Sequence, residues 1–317
     1  MKAVHTPALL EETIRYLAPR RGGELMVDAT LGEGGHSGAF LERFPTLRIL
    51  GLDADGEIQE RARERLKAFG DRARFYRVWS QEFFAAYPAD LDRPDTILFD
   101  LGISLYHYES SRRGFSFLKD EYLDMRIDTS RGRTAAEIIA ALSERELADL
   151  LYLKGGERYS RRIARAVAAA KKRGPVTTTG ALAELVSASV PAGYRRGPTH
   201  PATRSFQALR IAVNGEAETL PVLLEKALGV LKAGGRMGVI SFHSGEDREV
   251  KHFFRAKSRE CTPAPETPIG RSGGFPVVKI LTPRPVSAGE GERRNNPPSR
   301  SAKFRAVEKI NDPGVNA

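Results

Sequence analysis

Hydrophobic positions change their spacing along this chain, and the changes mark out its elements. Over the first hundred residues, short apolar runs of strand character alternate with helical stretches. The runs are "ELMVDAT" (24–30), "LRILGLD" (47–53), "ARFYRV" (73–78) and "DTILFDLG" (95–102), with helical stretches such as "DGEIQERARERLKAF" (55–69) between them. Strand, helix, strand at this spacing implies parallel strands joined by crossover helices. The middle of the chain reads differently. "TAAEIIAALSERELADLLYL" (134–153) and "SRRIARAVAAAKKR" (160–173) place apolar residues three and four apart, as helices do. "TTTGALAELVSASV" (177–190) reads as a helix behind a threonine cap. The alternation then returns. "AETLPVLLEKALGVLKAGGRMGVISFHS" (217–244) gives helix, Gly-Gly turn and buried strand. "VVKILTPRP" and "SAKFRAVEK" follow as the last two strands, joined by a Pro/Gly-rich loop.

The pattern therefore predicts one α/β sheet domain, residues 1–107 and 206–317, split by an all-helical insertion over 108–205. Composition fits a chain of this kind. Its 317 residues are 41 % hydrophobic, enough for an ordinary core. No apolar run reaches the roughly 18 residues of a membrane span. Glu11 and Glu12 stand where a signal peptide would carry its apolar centre, so a cytoplasmic location is expected. The one cysteine, Cys261, has no partner for an internal disulfide, and no Cys/His cluster has zinc spacing, so no metal is expected.

Charge adds the first functional hint. The formal net charge is +10. Between Leu150 and Gly215 twelve cationic residues face only Glu157 and Glu184, so this fifth of the chain holds the whole excess. A solvated helical surface is the plain reading. A footprint for a polyanion, most naturally a nucleic acid, is the sharper one.

The loop "DATLGEGGHSGAF" (28–40) lies between the first strand and the first helix of the sheet. Glycines there let a ligand approach the backbone N–H groups. The spacing Gly32, Gly34, Gly35 departs from the dinucleotide fingerprint. The second strand ends at Asp53, whose carboxylate can accept from both hydroxyls of a ribose. Helix capping or turn formation is the alternative for Asp28 and Asp53. The fourth strand ends in "FDLGIS", which brings Asp100 to the same crevice, beyond the carboxyl ends of the strands. These features suit an adenosine-type ligand and leave NAD and S-adenosylmethionine both open.

An ordered set of motifs narrows the field: "HTPALLEE" (5–12), "DATLGEGGHS" (28–37), "LDAD" (52–55), "DLGIS" (100–104), "RRGFSF" (112–117), "LDMRID" (123–128), "GGERYSRRIARAV" (155–167), "HPATRSFQALRIAVNGE" (200–216), "GGRMGVISFHSGEDR" (234–248) and "SRSAKFR" (299–305). In this set the chain resembles the RsmH (MraW) family, bacterial 16S ribosomal RNA cytidine N4-methyltransferases, over nearly its whole length. The resemblance implies a class I S-adenosylmethionine-dependent methyltransferase, a Rossmann-like α/β sheet with the basic helical domain inserted. It implies small-subunit rRNA as partner and a cytidine near the decoding centre as target, nucleotide 1402 in the usual 16S numbering. A homodimer is a further expectation.

By position in the family's pattern, Gly34, Gly35 and His36 cradle the methionine part of the cofactor. Asp53 takes the ribose, and Phe83 sits by the adenine, with the register at "WSQEFF" open by a residue. Asp100 lines the site near the sulfonium and the incoming base, and His107 stands where the family usually has glutamine. Three departures stand out: Leu105, Tyr106 and His107 after Ser104, Gly245 within "HSGEDR", and Pro298 in the tail.

The implied reaction needs an acceptor for the N4–H groups of a delocalised, weakly nucleophilic amine, together with alignment of the reacting atoms. Asp100 is the first candidate, assisted by Ser104. On the RNA side, Arg112, Arg113 and Phe115 in "RRGFSF" suit phosphate contact and base stacking. Phe115 and Phe117 equally suit plugging a domain junction. Arg161 and Arg162 are candidates for phosphate contact, while Asn214 and His243 are candidates for substrate contact or for structural roles. "NPPS" (296–299) imitates an amino-methyltransferase motif but precedes the final strand, where a closing loop fits better. Three other readings remain: an NAD-dependent oxidoreductase, a non-catalytic RNA-binding or ribosome-assembly factor, and a DNA cytosine methyltransferase.

Overall fold

The computed structural model describes residues 6–197, 199–259 and 276–311. His5 and Cys261 lie outside them. The described residues fall into two units, one up to Ile103 and from Thr219 onward, the other Ser104–Glu218.

The first unit is built on a single sheet. Its strands are β1 (Leu25–Asp28), β2 (Arg48–Asp53), β3 (Ala73–Arg77), β4 (Thr96–Asp100), β5 (Arg236–Ser241), β6 (Val278–Ile280), β7 (Val286–Ser287) and β8 (Lys303–Lys309). They lie in the order β3-β2-β1-β4-β5-β8-β6, with β7 also on β8. β3, β2, β1, β4 and β5 run parallel; β8 is antiparallel to β5, β6 and β7. Successive side chains on a strand face opposite ways. Val27, Ile97, Phe99 and Val239 accordingly enter one core with Leu224, Leu228 and Phe254, whereas Met26, Leu98 and Ile240 enter the other with Leu17, Phe40 and Phe304. A sheet covered on both faces explains why β1 and β4 read as unbroken apolar runs rather than alternating ones.

Three sequence expectations change in detail. The helix expected to Phe69 is the α-helix Gly56–Leu66, begun by the Asp55 carboxylate accepting from the Glu57 N–H. It passes into a tighter turn, Lys67–Arg72, interrupted at Gly70 (φ 55°). The expected helix 134–153 is two helices, Ala135–Ala141 and Glu144–Gly155. Ser143 is the reason: with Glu146 it forms a capping box that starts a second helix, just as Thr134 and Glu137 start the first. The tail carries a third strand, β7, and the loop before β8 contains the helix Glu290–Asn295 and the 3₁₀ turn Pro297–Ser301. The helix expected after a threonine cap is present as Thr179–Ser189, capped by Thr178.

The second unit is helical, with one isolated bridge, Tyr122 to Thr178. Helix Glu144–Gly155 packs against helices Ser160–Lys171 and Thr203–Asn214. Gly155 permits the close approach, since a Cβ there would strike the backbone of Arg204. Ile163, Ala164 and Val167 point inward, and Arg161, Arg162 and Arg165 on the same helix are exposed. No helix of the described residues is long and apolar enough to cross a membrane.

Candidate active site

The chain leaves β1 toward β2 and β3 on one side and later returns to β4 and β5 on the other. β1 and β4 therefore flank the switch point, where open parallel sheets bind ligands beyond their carboxyl ends. The glycine loop after β1 is tied down there. The Ala29 and Leu31 N–H groups donate to the carbonyls of Leu98 and Leu52, both at 2.9 Å. The Ser80 hydroxyl donates to the Ala29 carbonyl. Gly32 (φ 53°) and Gly34 (φ 74°) adopt left-handed backbone, and Gly34 caps the helix Gly35–Arg43. A side chain on Gly34 would meet Leu66, and one on Gly35 would meet Pro7. These glycines thus let the loop pack tightly while the first helical turn keeps its N–H groups without intrahelical partners.

Acids end the strands. Asp53, at the end of β2, accepts from the Gly32 N–H (2.9 Å) and the Asp55 N–H (2.9 Å). Asp28, at the end of β1, is 1 % exposed and accepts from the Ser37 hydroxyl (2.7 Å). Burial raises its carboxyl from 3.8 to about 6, against the opposing pull of hydrogen bonds from Ser37 and Thr30. Asp100 ends β4, and its backbone N–H donates to the Thr30 hydroxyl (2.6 Å). Burial first, then the charges of Asp28 and Glu246, hold its carboxyl well above the ordinary range. Its Oδ1 is buried and has no hydrogen-bond partner, which is costly unless a ligand donates to it.

His36, 5 % exposed, stands beside Asp100, with Nδ1 3.5 Å from Oδ2. Its Nε2 lies 3.1 Å from the Ala8 carbonyl. A carbonyl only accepts, so Nε2 carries a proton, and Nδ1 faces the Asp100 carboxyl. The His36 side chain is therefore engaged with protein groups, and the Gly34 N–H donates to the Leu31 carbonyl (2.8 Å).

The other expected residues divide. Phe83 is 5 % exposed and its ring packs on Tyr76, Phe84 and Tyr87 at 5.2–5.7 Å. The aromatic at the carboxyl end of β3 is the partly exposed Trp79, four residues earlier. The sequence signal for Trp79 is its place directly after "FYRV". His243 begins the helix Ser244–Arg259: its Nδ1 accepts from the Glu246 N–H (3.3 Å) and its Nε2 lies 2.9 Å from Glu246 Oε1. Glu246 also accepts from the Phe242 N–H (2.9 Å), so His243 and Glu246 hold one another at the end of β5.

Within the helical unit, Ser104 caps the helix Leu105–Glu109 by accepting from the Tyr106 N–H (3.1 Å). His107 and Phe115 are buried against each other at 5.1 Å. Arg113 is buried and donates to the Ile127 carbonyl (2.9 Å), whereas Arg112 is exposed. The Asn214 amide donates to the Met125 and Arg210 carbonyls and accepts from the Ile127 N–H, all within 3.0 Å. Among the described residues no group of three or more His, Cys, Asp or Glu side chains is placed to hold a metal ion.

A glycine loop at the switch point, an acid ending each of β1, β2 and β4, and a carboxylate oxygen waiting for a donor define a Rossmann-like enzyme site. Comparison with known proteins gives the family. The chain belongs to the MraW methylase family, whose pattern matches residues 2–310. It is 51 % identical over 310 residues to the "Ribosomal RNA small subunit methyltransferase H" of Treponema denticola, covering 98 % of each chain. The protein of the same name from Treponema pallidum is 41 % identical over 354 residues, covering 96 % of this chain and 92 % of its own. That of Syntrophobacter fumaroxidans is 45 % identical over 311 residues, covering 96 % of each.

Proposed function

We propose that this chain transfers a methyl group from S-adenosylmethionine to N4 of a cytidine in small-subunit ribosomal RNA, at position 1402 in the usual numbering. The observation that carries the reading is Asp100, whose buried Oδ1 lacks a donor. Small-subunit RNA as substrate follows the name that the relatives share.

The residues present suit this cofactor. Asp28, Asp100 and Glu246 make the crevice acidic. An acidic crevice attracts a sulfonium and repels the pyrophosphate of a dinucleotide. That disfavours the oxidoreductase reading. Asp53 would hold the ribose hydroxyls, the backbone at Gly34–His36 the methionine carboxylate, and Trp79, rather than Phe83, the adenine face. When bound, the cofactor supplies a methyl group made electrophilic by the positive sulfur.

The protein's part is to position the amine and receive its proton. Asp100 Oδ1 accepts an N4–H, which draws the nitrogen lone pair out of the ring, and takes the proton that nitrogen releases as the N–C bond forms. Ser104 would assist if it exchanged its capping bond for one to the amine. Arg112, Arg161 and Arg162, all exposed, would hold RNA phosphates. Arg113, Phe115, His107 and Asn214 would act by shaping the helical unit. His243 would act by fixing Glu246.

The test supplies S-adenosylmethionine with a labelled methyl group to the protein and unmethylated small subunits, then digests the RNA to nucleosides. Label in N4-methylcytidine is the expected result. Cofactor binding without label would contradict the catalytic reading, and label in another nucleoside would contradict the choice of atom.

A further inference from the structure

The two phenylalanines of "RRGFSF" have different fates. Phe115 is 4 % exposed, while Phe117 is half-buried. The Phe117 ring meets Phe206 edge-on, 5.0 Å away at 77°. It stacks on His200, 4.4 Å away at 25°. His200 is exposed, yet its ring is held. The Ala202 N–H donates to Nδ1 (3.2 Å), which fixes the tilt and leaves Nε2–H as the donor of the neutral ring. An imidazole fastened flat on a phenyl ring turns its second face outward. The next residue along the chain, Leu118, is 87 % exposed. Arg195, Arg196 and Arg204, the cations nearest His200 in sequence, are exposed as well.

An exposed, immobilised flat ring, an exposed leucine and three exposed arginines close in sequence are what an unpaired nucleotide needs. Every base has a π face, an apolar side chain can wedge a base step open, and cations hold the backbone. An acidic protein partner would use the arginines but would have no use for the orientation of the ring. We propose that the outer face of His200, supported by Phe117, is a stacking platform for one unpaired base of the RNA substrate, with Leu118 as the apolar wedge. This inference rests on the RNA-methyltransferase reading and adds a positioning element to it. The base read there is not chosen by sequence, because stacking tolerates all four.

The test measures methyl transfer to unmethylated small ribosomal subunits, with KM for subunits and Kd for cofactor determined separately. His200→Ala should raise KM for subunits about 5- to 150-fold, the range for one lost base stack, with cofactor Kd and melting temperature unchanged. His200→Phe should restore most of the loss, because it keeps the ring and discards the imidazole nitrogens. Leu118→Ser should raise KM for subunits without altering the fold. A His200→Ala protein with the wild-type KM would overturn the platform. Equal damage from His200→Ala and His200→Phe would overturn it too, since a hydrogen bond or charge would then be the working feature. If the wild type transfers no methyl group, the functional reading fails first. Binding of a fluorescent single-stranded RNA oligonucleotide by wild type and His200→Ala then decides the platform on its own.

Discussion

At the scale of single residues, the carboxyl edge of the sheet stores unfavourable electrostatics. Asp28 is the clearest case. Its carboxyl moves from 3.8 unfolded to about 6 folded, mainly through burial. Between those values the folded state binds more protons than the unfolded one, so stability falls as pH rises through the window and is level above it. The penalty amounts to about 3 kcal/mol once complete. Asp28→Asn should therefore gain on the wild type between about pH 4 and pH 6 and hold a constant margin beyond; urea titrations at several pH values would read this. A margin independent of pH would mean that Asp28 is not held as described. The acids were legible in the sequence because each ends a strand at a fixed place after an apolar run. The roles of Phe83, His107 and Arg113 were not. Whether an aromatic or an arginine faces a ligand or a core depends on how neighbouring elements fold back on it, and here Tyr76, Phe115 and the Ile127 carbonyl decide.

At the scale of elements, apolar spacing announced most helices and strands but misplaced some ends. "AALSERELADL" keeps helical spacing across Leu142 and Ser143, yet the chain breaks there. A side chain that caps competes with the helix it interrupts, and periodicity alone does not register that competition. Ser143→Ala removes the N-cap acceptor and should cost about 1 kcal/mol, read as a lower denaturation midpoint with unchanged cofactor affinity. An unchanged midpoint would show that tertiary packing alone sets the break. The two-residue β7 escaped notice because its pairing to Phe304 and Lys303 is made by the partner strand, not by its own composition.

At the scale of the whole molecule, charge is divided along the chain. The sheet unit gathers acids at its carboxyl edge, and the segment from Leu150 to Gly215 carries the cationic excess. Such a surface should give RNA binding that weakens steeply with salt. Replacing Arg161 and Arg162 with glutamine should lower affinity for all RNA sequences alike and reduce the log–log salt slope by about 1 to 2. An unchanged slope would remove these two residues from the interface. The proposed chemistry turns on Asp100 taking the proton of the amine, and one measurement reaches it directly: the rate of methyl transfer by wild type and Asp100→Asn, at saturating cofactor and small subunits, across pH. The wild-type rate should rise with pH through a group well above the ordinary carboxylate range, because only the ionised form can accept. The variant should be slower by about 100-fold or more and lose that rise. A variant with wild-type turnover would contradict the account.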